Sequence, residues 1–548
     1  MKTRTIRRIS QIVFFGLFVY LIAKTAYPLR SAIPVDLFVQ ADPLVAGAAM
    51  LASRTIIHGA LISLVIVGIT IVLGRVFCGW ICPMGTTLDA CDKAFFRGKK
   101  RSGTPNRLFG LKYYVLAGLF VTSLFTMQAV YLLDPLSLLT RTVVLVFIAP
   151  IQMVFRWLAE VSYAWSSSGF GPMASVGMWL SDRIGPWSFI AGQQLYYHEA
   201  LIVLAIFVGI VGLNSISRRF WCRNLCPLGA LLGIFSQIPV LKRVVSGECT
   251  ECAKCVRECK MGAILENPRL TRMTECILCF NCVAGSPRKA VSFRFRPRPE
   301  RRSETALDLS RRRILQGAGV GLGFAAMAAI DPGRKRALSD SSQIKLSSQD
   351  LIRPPGSLPE DKFIEQCVRC GSCMKVCPTN GLQPAIYEAG IEGFWTPILV
   401  PRIGCCTQEC NACGQVCPTE AIKPFTIAEK SYIFIGTATI DRSQCIAWAD
   451  DKKCLVCDEY CSYKAVEWKP TPEGVKRPFV NEKKCVGCGI CESACPVQPI
   501  AAIRVYSRGD KRHMTRPEQR DWSGVIDSSE NATRNPRSRR RKRRGMTP

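Results

Sequence analysis

Over the first 240 residues, long apolar runs alternate with short basic loops. Closely spaced cysteines then take over. One apolar stretch runs from about residue 12 to 27, and further ones cover 58–77, 111–133 and 198–216. Each is about long enough to cross the ~30 Å hydrocarbon core of a bilayer as a helix, the first only marginally. Lys2, Arg4, Arg7 and Arg8 precede the first run. Lys93, Arg97, Lys99, Lys100, Arg101 and Arg107 follow the second, and Arg218, Arg219 and Arg223 follow the fourth. Lys and Arg hold loops inside, so the N-terminus and both basic loops are expected on the inner face. The stretches 28–55 and 134–197 are expected outside. A crossing at 143–158 would put the two basic loops on opposite sides, so that apolar stretch is expected to be interfacial or re-entrant.

Composition changes the picture in three ways. Lys+Arg 72 against Asp+Glu 41 gives a net charge of +31, a balance suited to nucleic acid, an anionic membrane face or an acidic partner. No nucleic-acid motif accompanies it, so no nucleic-acid partner is expected. Three histidines in 548 residues argue against bis-histidine multihaem proteins and histidine-pair zinc sites. The 29 cysteines fall almost all in runs too tight for a secreted disulfide framework.

Those runs have iron–sulfur spacing. In the run C-x2-C-x2-C-x3-C-P, three cysteines hold one cluster and the fourth reaches its neighbour. Four runs follow this pattern: Cys249, Cys252, Cys255 and Cys259; Cys367, Cys370, Cys373 and Cys377; Cys406, Cys410, Cys413 and Cys417; Cys485, Cys488, Cys491 and Cys495. The third has one extra residue in its first spacer. Two more vary further. Cys276, Cys279 and Cys282 are followed by Ser286 at the fourth place, and Cys445 stands well before Cys454, Cys457 and Cys461. Structural zinc also takes four cysteines, but paired runs with proline after several fourth cysteines favour clusters.

Crossed pairing then predicts ligand sets. Cys367, Cys370 and Cys373 join Cys417, while Cys406, Cys410 and Cys413 join Cys377. Cys445, Cys454 and Cys457 join Cys495, while Cys485, Cys488 and Cys491 join Cys461. Cys276, Cys279 and Cys282 join Cys259. Cys249, Cys252 and Cys255 face Ser286, so that centre is open to being three-iron, serine-ligated, labile or absent. Cys91 and Cys405 are left over as non-ligands.

The apolar part carries its own duplicated motif, Cys78-x3-Cys82-Pro83 and Cys222-x3-Cys226-Pro227. Thiols at i and i+4 of a helix share a face. The expected topology places both pairs at the inner surface, where four thiols either hold a further cluster or redox group or form reduced structural pairs. Arg311, Arg312 and Arg313 precede the apolar run 317–330, which reads as a twin-arginine export signal or anchor, with a linker helix as the alternative. Its glycines miss the dinucleotide-binding spacing. His58 and His198 mark the outer ends of two expected crossings. They are candidates for holding a quinone, with Glu199 able to accept a proton, and for ligating haem.

These residues resemble a family. The apolar block with two CxxxCP motifs and its ferredoxin-like domain resembles the NapH-type membrane subunit of periplasmic nitrate reduction. The arginine-led segment and the last cysteine-rich domain resemble its NapG-type partner and MauM-type ferredoxins, here fused. NosR-type relatives share the CxxxCP core but add a flavin domain whose attachment motif is missing here. The resemblance implies a quinol dehydrogenase passing electrons through [4Fe–4S] clusters to a periplasmic reductase. Ser286 departs from the pattern. Ala326-Met327-Ala328 resembles a cleavage site, so separation into two pieces stays open.

The expected fold is a membrane α-helical bundle of about four crossings plus α+β ferredoxin-like 4Fe-4S domains. The membrane domain is 1–241, a cytoplasmic ferredoxin-like domain 242–302, a signal or anchor with linker 303–350, a four-cluster domain 351–507 and a basic tail 508–548. Five or six clusters are expected in the soluble domains, one of them open to being [3Fe–4S], and one more is open at the CxxxCP motifs. The expected partners are the membrane, the quinone pool and a periplasmic redox protein. The expected location is the bacterial inner membrane, with the last domain in the periplasm. An electron-donating maturation factor and a redox regulator are the alternative functions.

Overall fold

The computed structural model describes residues 2–29, 31, 33–96, 108–166, 175–176, 179, 197, 199–237, 239–286, 288, 290–295, 310–330, 351–386, 388–470 and 476–512. His198 and residues 513–548 of the basic tail lie outside the described residues, while 508–512 are ordered against the four-cluster domain.

Among the described residues, two helical stretches are long and apolar enough to cross a membrane, Thr3–Lys24 and Pro135–Phe155. Pro43–Ser53, His58–Leu73, Leu111–Leu124 and Ala200–Ser215 are apolar but shorter. The stretch 143–158, expected to be interfacial or re-entrant, overlaps the second of the two long stretches, Pro135–Phe155. Local chemistry explains where that helix begins. Pro135 opens its first turn and the Ser137 N–H donates to Asp134 Oδ2 at 2.7 Å, so the start is capped well before the apolar run. A π-helical turn, Val143–Phe147, lies within it.

Three helices run from one cysteine-rich domain to the other. At the start of Leu111–Leu124, Lys112 and Tyr113 reach Glu275 of the first domain. Just past its other end, the Gln128 carbonyl accepts from Arg369 of the second at 2.7 Å. Arg75, after Ser63–Leu73, bonds Glu275. Thr55, before that helix, accepts from Gln366 at 3.3 Å. Helix Lys2–Lys24 has Arg7 near Cys279, and Tyr27 beyond its end donates to the Glu409 carbonyl at 2.7 Å. The two domains thus sit at opposite ends of the bundle. The 14 residues of Leu111–Leu124 separate them by about 21 Å at ~1.5 Å per residue.

Helix Arg311–Ile330 lies along Leu111–Leu124 in the same direction. Glycine makes the close approach possible. A β-carbon on Gly317 would stand 2.6 Å from the Tyr114 carbonyl oxygen, and one on Gly118 would stand 2.9 Å from the Gly317 oxygen. Ala325 packs with Met127 farther along.

The two cysteine-rich domains contain three copies of one nested plan. In each, the first and last segments pair outside an inner hairpin. Leu241–Val245 pairs antiparallel with Val291–Phe295 around the bridge Ile264 to Thr271. The bridge Ser357 to Ile422 encloses Leu382–Pro384 and Pro397–Leu399. Thr437–Ile440 pairs with Ile503–Tyr506 around Val466–Pro470 and Lys476–Val480. The core is continuous from Leu44, Leu136 and Leu145 of the bundle to Met374, Trp395 and Ile435 of the second domain.

Candidate functional site

The cysteine loops are shaped by backbone conformation. Residues on both sides of the second cysteine have positive φ in four runs: Glu251 and Ala253, Leu278 and Phe280, Arg369 and Gly371, Gly487 and Gly489. This left-handed pair curls the loop around a hollow, at a cost for the non-glycine residues. The Cys406 and Cys445 runs, whose first spacers are longer, lack the pair. Three residues after the fourth cysteine, the chain turns again at Gly262, Asn380, Glu420 and Lys464, all with positive φ. That turn aims backbone N–H groups back at sulfur. Ala263 N donates to Cys259 Sγ at 3.3 Å, Ile422 N to Cys417 Sγ at 3.4 Å and Ala465 N to Cys461 Sγ at 3.2 Å. Such donors are among the levers on cluster potential.

The fold brings the crossed sets together. Cys445, Cys454, Cys457 and Cys495 line one cavity of about 380 Å³. Cys259, Cys276, Cys279 and Cys282 line another of about 370 Å³. Cys373 neighbours Cys367, Cys370 and Cys417. Cys413 neighbours Cys406, Cys410 and Cys377, and Cys491 neighbours Cys485, Cys488 and Cys461. Cys249, Cys252, Cys255 and Ser286 line a cavity of about 340 Å³. There the Ser286 hydroxyl already accepts from Ala290 N at 3.1 Å, and Cys252 is exposed.

The thiols stand around hollows rather than closing on a point. Among the described residues no three metal-ligating side chains are set for a single ion. Burial pushes the Cys417 and Cys457 thiols up to about 12. Thiolates gathered there need a cationic core to take up their charge.

Neighbouring sets touch. Cys406 N donates to Cys488 O at 2.8 Å, joining the middle and last units, and Cys457 lies near Cys491. Gly79, beside Cys78, packs against the Ile277 carbonyl, beside Cys276. The Trp80 indole donates to Leu278 O at 3.1 Å.

At the CxxxCP motifs the helical face expected for each pair does not form. Proline stops the helix, so Cys78 and Cys222 sit in the short helices Val76–Trp80 and Phe220–Asn224, while Cys82 and Cys226 precede Pro83–Phe95 and Pro227–Phe235. The four thiols still converge, since Cys226 neighbours Cys222, Cys78 and Cys82. Buried charges surround them. Arg75 pairs with Glu275 at 3.0 Å, and Lys112 with the same carboxylate. Arg219 and Lys260 each pair with Asp89 at 2.9 Å. Burial raises the Asp89 carboxyl, but Arg219 and Lys260 outweigh it and hold it well below the usual range. Four bases against two acids leave positive charge, the sign that a thiolate-ligated cluster needs. Sequence reasoning missed this network, although both arginines stand three residues before their motif's first cysteine.

The histidine candidates fare differently. His58 is exposed, in the turn His58–Ile62. Glu199 is buried near Trp395 and Arg141. Cys405, left over in the sequence, lies beside Cys406 and Cys377.

Cysteine sets of this kind on nested two-stranded units define an iron–sulfur electron-transfer protein. Family models bear on the same segments. A 4Fe-4S binding domain matches 55–103 and 199–246, another matches 363–383, and a 4Fe-4S dicluster domain matches 452–498. The ferredoxin-type protein NapF of Escherichia coli K12 is 34% identical over 156 residues, 28% of this chain and 87% of NapF. The methylamine utilization ferredoxin-type protein MauM of Methylorubrum extorquens is 32% identical over 164 residues, 29% of this chain and 73% of MauM. An uncharacterized protein of Methanocaldococcus jannaschii is 28% identical over 301 residues, 54% of this chain and 97% of its own length. The chain belongs to the ferredoxin-type iron–sulfur proteins. No solved structure matches it.

Proposed function

We propose that this protein is a membrane-embedded quinol dehydrogenase of the electron-transfer kind, feeding a redox partner through its four-cluster domain. The carrying observation is the bundle with a cysteine-rich domain at each end, spanned by Leu111–Leu124. A bundle so capped, with apolar helices and basic loops at the Cys249 end, suits a membrane with that domain inside and the four-cluster domain outside. The short helices cross together with the ordered turns flanking them. Helix Arg311–Ile330 carries the chain from the inner domain to the outer one and stays in place as an anchor.

Six sets in the two domains and the four CxxxCP thiols are the proposed ligands, with Ser286 at the fourth place of the Cys249 set. When bound, the clusters supply one-electron redox chemistry. The residues of this chain space them, screen them from water and set their potentials by N–H to sulfur bonds and buried arginines. One relay runs through the sets of Cys367, Cys406, Cys485 and Cys445. The other, at the opposite end, joins the sets of Cys249, Cys276 and Cys78.

The test is electron paramagnetic resonance of the anaerobically purified membrane protein, before and after addition of a menaquinol analogue. Cluster signals that appear on quinol addition support the reading. Clusters reduced by dithionite but never by quinol overturn it and favour an electron-donating maturation factor.

A further inference from the structure

One large cavity belongs to none of the cysteine sets. Its open volume is about 600 Å³, solvent at its mouth included, against about 380, 340 and 370 Å³ on the same basis for three hollows that cysteines line. It lies where three parts of the molecule meet: Tyr131 and Leu132 from the bundle, Phe324 from the arginine-led helix, and Arg369 and Phe394 from the four-cluster domain. The walls are mostly apolar. Two nitrogen donors break them. The Gln128 amide nitrogen is buried, 2 % of the residue being exposed, and has no partner among the described residues. The Arg369 guanidinium lies 3.6 Å over the Tyr131 ring; its Nη1 and Nη2 donate to the Gln128 and Glu392 carbonyls, and its Nε is the nitrogen without a partner there. Arg369 stands in the loop between Cys367 and Cys370, so the cavity adjoins the first set of the outer relay. Nearby apolar side chains are open, Met327 at 66% and Leu124 at 54% exposed.

An apolar pocket with a few convergent donors, at a domain junction, is the usual form of a small-molecule site. Its donors select a ligand with acceptor oxygens. Its apolar surroundings at the end of the bundle select one that arrives from lipid, and the adjacent cysteine set selects one that exchanges electrons. We propose that this cavity binds the head group of a lipid-soluble quinol, with Gln128 and Arg369 donating to its ring oxygens and its ring against Tyr131 and Phe394. The proposal rests on the quinol reading above and moves the site from His58 to this junction. Oxidation of one quinol to quinone releases two electrons and two protons. The electrons leave one at a time toward the set of Cys367, Cys370, Cys373 and Cys417 and onward along the relay. The two protons pass in turn to a base at the cavity and on to water, and Glu392, a residue lining the same cavity, is the carboxylate proposed for that step.

The test uses the full-length protein in detergent and the quinol analogue 2-heptyl-4-hydroxyquinoline N-oxide, whose fluorescence is quenched on binding. Wild type is expected to bind one equivalent. Leu132→Trp fills the cavity and Gln128→Leu removes a donor. Each is expected to weaken binding about tenfold or more, with iron and sulfide content unchanged. His58→Ala is expected to bind as wild type does. If Leu132→Trp loses iron, Gln128→Leu decides. Wild-type affinity in Gln128→Leu with loss in His58→Ala overturns the site. Menaquinol reduction of every variant at the wild-type rate overturns the site and leaves the quinol reading standing. No binding and no quinol reduction in wild type overturns both.

Discussion

Arg75 and Arg219 cross over between the two CxxxCP repeats. Each precedes its own first cysteine by three residues. Yet Arg219 Nη2 donates to the Gly85 carbonyl of the first repeat at 2.9 Å. Arg75 lies against Gly229, the equivalent glycine of the second, where a β-carbon would stand 2.6 Å from its Nη2. The exchange locks the two halves face to face and sets a guanidinium on each side of the four thiols, with Arg75 Nη2 4.0 Å from Cys78 Sγ.

Arg75→Gln is expected to lower the potential of a cluster held there, because reduction adds negative charge and the variant has lost the cation that stabilises it. It is also expected to cost about 1–3 kcal/mol of stability through the bonds to Glu275 and Thr274. An anaerobic redox titration followed by electron paramagnetic resonance, with thermal unfolding alongside, checks both. Arg75→Lys, which keeps the charge, is expected to recover most of the potential. An unchanged potential in both variants would mean that no cluster sits beside Arg75.

Ser286→Cys supplies the thiolate missing from the Cys249 set. Oγ at that position already faces the cavity with Cys249, Cys252 and Cys255. The expected result is one more oxygen-stable cluster by iron and sulfide analysis. Any three-iron signal in the oxidised wild type should disappear with it. The same iron content in both proteins would mean that serine ligates as well as cysteine does, or that the neighbouring Ala290 N–H holds the side chain away.

How much of this was legible follows from where the signal lies. The gathering of the crossed sets could be anticipated because each run encodes its own direction: two short spacers wrap three cysteines round one hollow and the fourth cysteine leaves it. Cys495 therefore reaches Cys445 despite the loop inserted in that run. What stayed hidden depends on contacts between distant residues. Nothing in the sequence near Glu275 announces Arg75 and Lys112, and Gln128 reads as one polar residue in an apolar stretch. The start at Asp134-Pro135 was a capping signal overlooked beside the larger apolar run. The helical reading of CxxxC failed because Pro83 and Pro227 end one helix and begin another.

Glu360 sets a pH-dependent clasp in the four-cluster domain. Burial raises its carboxyl, but Arg353 and Arg512 outweigh burial and hold it below the usual range. The ion pairs are 2.5 and 3.0 Å. A depressed folded value means that the stabilisation is complete above the ordinary carboxylate value and fades as pH falls through the folded one. Glu360→Gln leaves the buried Arg353 guanidinium without a counter-ion and Arg512 with Asp510 alone, and is expected to cost about 3–5 kcal/mol near neutral pH. The difference in unfolding free energy between wild type and variant, which cancels the acid lability common to both, should shrink below about pH 4. A difference constant with pH would show that Glu360 is not the titrating group.

Gly321 faces Gly118 across the two neighbouring helices, and a β-carbon on Gly321 would meet the Gly118 backbone. That fit is specific to a helix that stays in the bundle. Ala326 and Met327, in the sequence resembling a cleavage site, lie inside Arg311–Ile330, where a protease cannot reach an extended strand without unwinding the helix. Purified wild type is therefore expected to run as one polypeptide of 60.7 kDa. Gly321→Leu is expected to part the helices, because the new side chain has backbone rather than flexible atoms in its way. Its predicted signature is a clipped fraction after brief proteolysis that wild type lacks, with the separated piece carrying the Cys367 to Cys495 clusters. Two pieces in untreated wild type would show instead that the arginine-led helix is removed after export and that its packing on Leu111–Leu124 is transient.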